Sequence, residues 1–138
     1  MKVIARFSCL TLVVLISIIS GDAIQVSARS PHQEAKAILE ATGIRGGLVA
    51  HVGCNDGELT AALWAGDNFV VLGLDRDAAD VAEARRAVAS RGLSGPVSIE
   101  RWEGERLPYT ENMVNLLVCE ESVSLPREEI LRVLAPLG

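Results

Sequence analysis

LVAHV at residues 48–52 and FVVLGL at residues 69–74 are two short apolar runs, and GCNDG at residues 53–57 directly follows the first. Each run is short and almost continuously apolar, which predicts a buried strand rather than an amphipathic helix. Between the runs, residues 58–64 return to the apolar spacing of a helix. A strand, a helix and a second strand in this order predict a parallel pair, because parallel neighbours need a crossover connection.

The same alternation continues on both sides of this unit. Ser30 and Pro31 are typical of a helix start, and Gly43 is typical of a helix end. Further helices are predicted at residues 32–42, 77–90 and 127–134, and further strands at residues 97–101 and 113–119. We therefore predict one α/β domain built on a doubly wound parallel sheet.

The helix predicted at residues 77–90 has an apolar side that should face the sheet. Its expected inward residues are Ala78, Val81, Ala82, Arg85, Val88 and Ala89. Arg91 and Gly92 follow the last of them and are expected to close the helix.

Residues 1–28 have the layout of an export signal. Two basic residues precede an uncharged apolar run at residues 7–19, and small residues at 26–28 suit a cleavage site. The run is short for a membrane span of roughly 20 residues. We predict a signal peptide, with an uncleaved membrane anchor or an N-terminal core element as alternatives, followed by a domain at residues 29–138. A signal peptide and a membrane anchor would both place that domain outside the cytoplasm, in the periplasm or extracellular space.

The composition excludes some partners and sites. The net charge is −5 and only 4% of residues are aromatic, so we predict no nucleic-acid surface, which would need basic residues interleaved with stacking rings. Membrane contact is expected only through an uncleaved N-terminal segment. After that segment the only cysteines are Cys54 and Cys119, and the sequence has no metal-binding cluster. We expect two buried thiols at neighbouring strand ends rather than a disulfide.

The loop at residues 53–57 lies where open α/β sheets bind ligands, beyond the carboxyl end of a strand. Glycine lets a backbone approach a ligand, and the start of the next helix is expected to offer free N–H groups. The dinucleotide fingerprint would need glycine at positions 53, 55 and 58, but positions 55 and 58 are Asn55 and Glu58. Asp75 ends the second strand, where a carboxylate can accept both hydroxyls of a ribose.

Four segments in order resemble the motifs of class I S-adenosylmethionine-dependent methyltransferases, whose fold is Rossmann-like. They are residues 51–57 (HVGCNDG), 73–77 (GLDRD), 103–118 (from EGERLPY to NLLV) and 131–138 (LRVLAPLG). The resemblance covers residues 34–138 and implies a partial domain that stops before the fifth strand of the family. Exported bacterial proteins that join such a domain to a pyrroloquinoline-quinone-type β-propeller are similar, which implies a β-propeller domain or protein as partner.

Carried over by position, the resemblance implies nine residues that bind S-adenosylmethionine. The methionine half would contact the backbone of Gly53, Cys54, Asn55 and Gly57. Asp75 would hold the ribose, Arg76, Glu103 and Gly104 would lie around the adenine, and Glu120 would face the methyl donor. The methyl acceptor is unknown, and the resemblance implies no particular catalytic residue.

Several of these residues also have a purely structural interpretation. Gly53 and Gly57 would serve a tight turn, Asp75 would cap the next helix, and Glu103 and Glu120 would be solvated acids. Both interpretations stay open at this point.

The chain also departs from the family pattern in three places. His51 stands where the family usually has an acid, Asn55 replaces a glycine, and Asn115 replaces an aspartate. A buried, hydrogen-bonded His51 is favoured over a catalytic base. Two functions follow: a methyltransferase-like protein, or a non-catalytic exported module that keeps the fold as a binding or structural unit and partners a β-propeller. A nicotinamide dehydrogenase is disfavoured by the glycine spacing.

Overall fold

A computed structural model of the chain describes residues 3–5 and 29–136. Its strands are β1 (Val3–Ala5), β2 (Gly47–Val52), β3 (Phe69–Asp75), β4 (Val97–Arg101) and β5 (Leu116–Cys119). Its helices are α1 (Pro31–Thr42), α2 (Glu58–Ala62), α3 (Ala78–Ser90) and α4 (Arg127–Val133). The five strands form one sheet in the order β1-β5-β2-β3-β4, and every pairing is parallel. The predicted α/β fold is therefore confirmed.

Helices cover the two faces of the sheet unequally. On the first face, α1, α2 and α3 pack over alternate residues of the central strands, among them Val49, Val71 and Val118. On the second face, α4 and the segment 102–109 pack over Ala50 and Leu117. The sheet is therefore doubly wound.

The first strand of the sequence motif is buried as predicted, but the second is only partly so. Val70 is 53% exposed, and Leu72 is half-buried on the same face of the sheet. Because α4 and the segment 102–109 pack around Val52 and Leu74 near the carboxyl ends of the strands, the amino-terminal half of β3 stays open on this face.

The ends of α1 confirm the predicted signals. The Ser30 hydroxyl accepts a hydrogen bond from the Gln33 backbone, and the Gln33 side chain accepts one from the Ser30 backbone. This reciprocal capping box satisfies two N–H groups at the helix start. At the other end, Gly43 adopts a left-handed φ of 63°, which glycine tolerates best.

Two of the six residues predicted to face inward on α3, Val81 and Val88, are buried. The other four are exposed, and Ala84 is buried instead; the exposed residues are Ala78, Ala82, Arg85 and Ala89. The reason is a close approach between α3 and the loop after β2: a Cβ atom placed on Gly57 would lie 2.7 Å from both Cα and Cβ of Ala84. Gly57 and Ala84 are thus matched small residues that let the loop and the helix touch.

The fourth predicted strand, residues 113–119, is shorter in the structure. The chain bends at Asn112, whose φ is 58°, and Val114 makes an isolated bridge to Leu134 instead of joining the sheet. Asn115 then binds the start of β2: its backbone N–H donates to the Leu48 carbonyl and its side-chain Oδ1 accepts from the Leu48 N–H, both at 2.9 Å. Asn115 therefore belongs to the amino end of the sheet, away from the glycine loop.

The edge strand β1 falls where the sequence left an N-terminal core element as an alternative to the signal peptide. Val3 pairs with Leu117 and Ala5 with Cys119, within the predicted signal peptide. Residues 6–28, which contain the apolar run and the cleavage-type positions, lie outside the described residues, so the signal peptide stays a prediction. In residues 3–5 and 29–136 no helix has the length and apolar character to cross a membrane.

We predict that Gly57→Ala destabilises the domain much more than Gly43→Ala. Both glycines have positive φ, but nothing lies within 4 Å of a Cβ atom on Gly43. The control should cost only the left-handed strain of alanine, about 1 kcal/mol. Gly57→Ala adds a clash with the α3 backbone and should cost about 3 kcal/mol or more. Urea unfolding of the two variants measures the difference, and equal midpoints would show that Gly57 is not a packing residue.

Candidate functional site

The loop after β2 is shaped by its bonds to the end of β3. The backbone N–H groups of Gly53 and Cys54 both donate to the Leu74 carbonyl, at 2.8 and 3.2 Å, and Gly57 donates to the Cys54 carbonyl at 2.8 Å. Gly53, Asn55 and Gly57 have φ values of 84°, 44° and 77°. Three left-handed residues within five positions make a sharply folded turn, which explains why the only non-glycine among them is an asparagine.

Two N–H groups of this turn are bound to carboxylates. Asn55 donates its N–H to Asp75 at 2.9 Å, and Glu58 donates its N–H to Asp56 at 3.0 Å. A ligand here would meet a closely approaching backbone in which these two donors are already occupied.

Asp75 is buried at the carboxyl end of β3, with 8% of its surface exposed. One carboxylate oxygen accepts the Asn55 N–H at 2.9 Å and the other accepts the Asp77 N–H at 3.0 Å. The cap of α3 is Asp77, whose side chain accepts the Ala79 N–H at 2.7 Å. The alternative that Asp75 caps the helix is therefore wrong: Asp75 holds the glycine loop and the start of α3 at the end of β3.

His51 is a buried and fully hydrogen-bonded histidine, as favoured from the sequence. Its side chain is 1% exposed. Its Nδ1 lies 2.7 Å from the Thr60 hydroxyl and its Nε2 lies 3.3 Å from a carboxylate oxygen of Glu120. Thr60 is on α2 and Glu120 directly follows β5, so His51 joins three neighbouring elements.

Glu120 is brought against the glycine loop. Its backbone N–H donates to the Val52 carbonyl at 3.0 Å, and a Cβ atom placed on Gly53 would lie 2.9 Å from the Glu120 Cβ. Glycine at position 53 therefore leaves space that Glu120 partly fills. The Glu120 side chain is 15% exposed, so it is not the fully solvated acid of the structural interpretation.

Arg76, Glu103 and Gly104 lie together at the outer side of this region. The Arg76 guanidinium stands over the Trp102 ring, 4.7 Å from its centroid, and donates to the Gly104 carbonyl at 3.4 Å. Glu103 forms an ion pair with Arg101 at 2.8 Å, and its side chain is 69% exposed. Glu103 is thus a solvated acid in this structure, and its contact with an adenine stays a prediction.

Trp102 was missed by the sequence analysis. It directly follows β4 and is 5% exposed, and its indole N–H donates to the Arg106 carbonyl at 2.8 Å. The sequence does place a tryptophan directly after a predicted strand, at residue 102. That position was the available signal, because an aromatic ring at a strand end gives a flat surface beside the site.

A second missed feature fastens the segment after β4. Glu129 on α4 accepts the Leu107 N–H at 2.6 Å, and Arg132 donates to the Tyr109 carbonyl at 2.7 Å and to Glu129. The hydrogen bonds from Arg132 also hold the pKa of Glu129 below its ordinary value. The contacts of Glu129 and Arg132 thus keep residues 107–109 against the second face of the sheet.

Two cavities among the described residues are lined mainly by helix residues. One of about 440 Å³ is lined by Asp56, Glu83 and Arg86, and one of about 340 Å³ by Pro31 and Trp64. The residues implied in cofactor binding instead border an open edge, where β2, β3 and β5 end side by side. Residues 3–5 and 29–136 contain no group of three or more potential ligands arranged for a metal ion.

Cys54 and Cys119 are buried free thiols at the ends of the neighbouring strands β2 and β5, as predicted. Burial raises the pKa of Cys54 to about 12, with a further contribution from the Asp75 charge, and burial raises the pKa of Cys119 to about 11. Both thiols are therefore protonated at pH 8.

We predict that both cysteines resist iodoacetamide at pH 8 in the folded protein, because only an accessible thiolate reacts. Mass spectrometry of the peptides that contain Cys54 and Cys119 should find no alkylation under native conditions and complete alkylation in urea. Native labelling of either peptide at the rate of free glutathione would contradict the burial of these thiols.

One family of proteins matches this chain. A family model described as a methyltransferase domain matches residues 49–138, which include the loop, Asp75, Glu103 and Glu120. No curated protein sequence matches the chain.

Solved structures match the fold over most of the described chain. A Methanococcus maripaludis protein assigned as an S-adenosylmethionine-dependent methyltransferase has 25% identity and a TM-score of 0.69, over 79% of this chain and 52% of its own. An Aquifex aeolicus S-adenosylmethionine-dependent methyltransferase has 24% identity and a TM-score of 0.65, over 75% and 59%. The cyclase SpnF has 25% identity and a TM-score of 0.65, over 76% and 41%. The chain thus spans roughly half the length of these proteins.

Proposed function

The chain belongs to the methyltransferase domain family and is an S-adenosylmethionine-dependent methyltransferase-like protein, and we propose that it binds this cofactor and transfers its methyl group. The observation that carries the proposal is the convergence of the glycine loop, the buried Asp75 and the Glu120 carboxylate at one edge of the sheet. These groups come from the ends of β2, β3 and β5, and the carboxyl ends of parallel strands are where such sheets bind ligands.

The residues present fit a nucleoside at Asp75. Each carboxylate oxygen has two lone pairs, and the protein uses one on each through Asn55 and Asp77. The remaining lone pairs can accept the two hydroxyls of a ribose. A carboxylate that is already fixed by two backbone donors loses little freedom when it binds such a diol.

Arg76 and Trp102 would provide the place for the adenine. The ring of Trp102 and the guanidinium of Arg76 are already stacked, and a planar guanidinium can stack on a second aromatic system. Gly104 offers its backbone at the same place, while Glu103 would have to leave or share its ion pair with Arg101 to accept from the adenine amino group.

The glycine loop would hold the methionine half of the cofactor. Gly53 has no side chain and its φ is positive, so the loop lets a ligand lie against the backbone. The sulfonium of S-adenosylmethionine supplies both the methyl group and the leaving group, so the protein mainly orients donor and acceptor. An Asp75 carboxylate and a Glu120 carboxylate held at this loop are consistent with such a positioning role.

We predict that the domain binds S-adenosylmethionine and that Asp75→Ala loses this binding. Losing a charged acceptor for the ribose hydroxyls should weaken affinity roughly tenfold to a hundredfold. Calorimetry of the full chain measures this. Asp67→Ala is the matched control, because Asp67 is an exposed aspartate before β3, at the opposite end of that strand.

Asp75→Ala also removes the acceptors for two backbone N–H groups, so its folding must be followed. Asp75→Asn keeps one carbonyl oxygen. Its stability should be closer to that of the wild type, and it should still bind S-adenosylmethionine weakly. No heat at millimolar S-adenosylmethionine with the wild type would overturn the proposal. Unchanged binding in both variants would show that Asp75 does not contact the cofactor.

A second function is a non-catalytic module that keeps the fold as a binding unit. The cyclase SpnF shares the fold, so the fold alone does not specify methyl transfer, and one observation favours the binding role. The outer edge of β5 is paired only with the three residues of β1 among the residues described, and these lie in the predicted export segment. Processing would leave this edge free to pair with a partner, for which we propose a β-propeller.

We also propose that the domain is exported and that residues 1–28 direct it. Fusing these residues to a phosphatase that is active only outside the cytoplasm should give active reporter, and N-terminal sequencing should show whether the processed chain begins near residue 29. A fusion with Leu12→Lys and Leu15→Lys should be inactive, because charges interrupt the apolar run. Equal activity of the two fusions, or none in either, would contradict export.

A further inference from the structure

We infer that His51 is a positioning residue that holds the Glu120 carboxylate at the glycine loop, where it binds the ammonium of the cofactor's methionine half. The inference rests on the proposed function. It starts from a chain of contacts between three elements: Thr60 on α2, His51 on β2 and Glu120 after β5. Thr60 and His51 are buried, with 0% and 1% of their surfaces exposed.

The hydrogen bonds assign the direction of this chain. The Thr60 hydroxyl is buried and its one side-chain partner in the described residues is Nδ1 of His51, at 2.7 Å. A buried hydroxyl proton needs an acceptor, so Thr60 donates to Nδ1 and the ring proton lies on Nε2. Nε2 then donates to the Glu120 carboxylate. With Nδ1 as acceptor and Nε2 as donor, the ring has a partner on each side.

The contact places Glu120 where the methionine half would lie. His51 lies near the end of β2 and Gly53 directly follows that strand, and both approach Glu120. A side chain on Gly53 would meet Cβ of Glu120 at 2.9 Å. The Glu120 side chain is 15% exposed, and His51 contacts its carboxylate.

A histidine at position 51 is better suited to this task than a carboxylate would be. A carboxylate at position 51 would stand beside the Glu120 carboxylate, and two close carboxylates disfavour each other's charged form. The imidazole instead donates a hydrogen bond that fixes the single carboxylate in one orientation. The negative charge is then supplied from the end of β5 rather than from β2.

Three ligands separate this role from a general effect on the site. S-adenosylmethionine and S-adenosylhomocysteine both carry the ammonium, whereas methylthioadenosine has only the adenine and ribose half. Glu120→Gln should weaken binding of the first two about tenfold and leave methylthioadenosine unchanged. His51→Leu, which removes the donor, should weaken the same two ligands by about threefold to tenfold.

Two further variants test the coupling. His51→Gln should restore most of the affinity lost in His51→Leu, because its amide can donate to Glu120 and accept from Thr60. The double variant His51→Leu with Glu120→Gln should bind no more weakly than Glu120→Gln alone, because His51 acts through Glu120. Calorimetry on the full chain measures all affinities, and thermal unfolding checks that each variant is folded.

The outcomes distinguish the inference from the proposed function. If the wild type binds none of the three ligands, the proposed function fails and the inference falls with it. If the wild type binds them but His51→Leu and Glu120→Gln bind all three as well as it does, only the inference is overturned. Equal loss for all three ligands, methylthioadenosine included, or simple additivity in the double variant, would reduce His51 to a packing residue and also overturn it.

Discussion

The candidate site depends on one buried carboxylate. Asp75 would be costly to bury without partners, and the backbone N–H groups of Asn55 and Asp77 remove that cost. The two bonds fix three things at once: the left-handed loop after β2, the start of α3, and the end of β3. Two other groups of this edge lie beside these elements: Glu120 approaches Gly53 of the loop, and Trp102 follows β4, the strand beside β3.

Much of the fold followed from local sequence patterns. Short apolar runs predicted β2, β3 and β4, the cap residues predicted both ends of α1, and the alternation of strands and helices predicted a parallel sheet. The loop and Asp75 were found because their spacing along the chain is fixed by one strand–helix–strand unit. These features are local, so the sequence specifies them directly.

The features that could not be predicted depend on contacts between distant residues. His51 and Glu120 are 69 positions apart, so no local sequence pattern pairs their side chains. The inward side of α3 was assigned from apolar spacing, whereas the structure selects Ala84 because Gly57 approaches there. The late start of β5, at Leu116 rather than residue 113, likewise depends on Asn115 binding Leu48 of the neighbouring strand.

The same long-range contacts bear on how such a site could act. Methyl transfer needs a donor and an acceptor held in line more than it needs an acid or a base. Rigid strand ends would therefore assist the reaction by positioning the bound molecule. Here the rigidity comes from hydrogen bonds to backbone groups and buried side chains. Asp75 fixes the loop from β3, and the Thr60–His51–Glu120 chain fixes the carboxylate from β2 and α2. A fold shared with a cyclase can keep this rigid edge and change the reaction, because the edge orients the bound molecule while the acceptor decides what it reacts with.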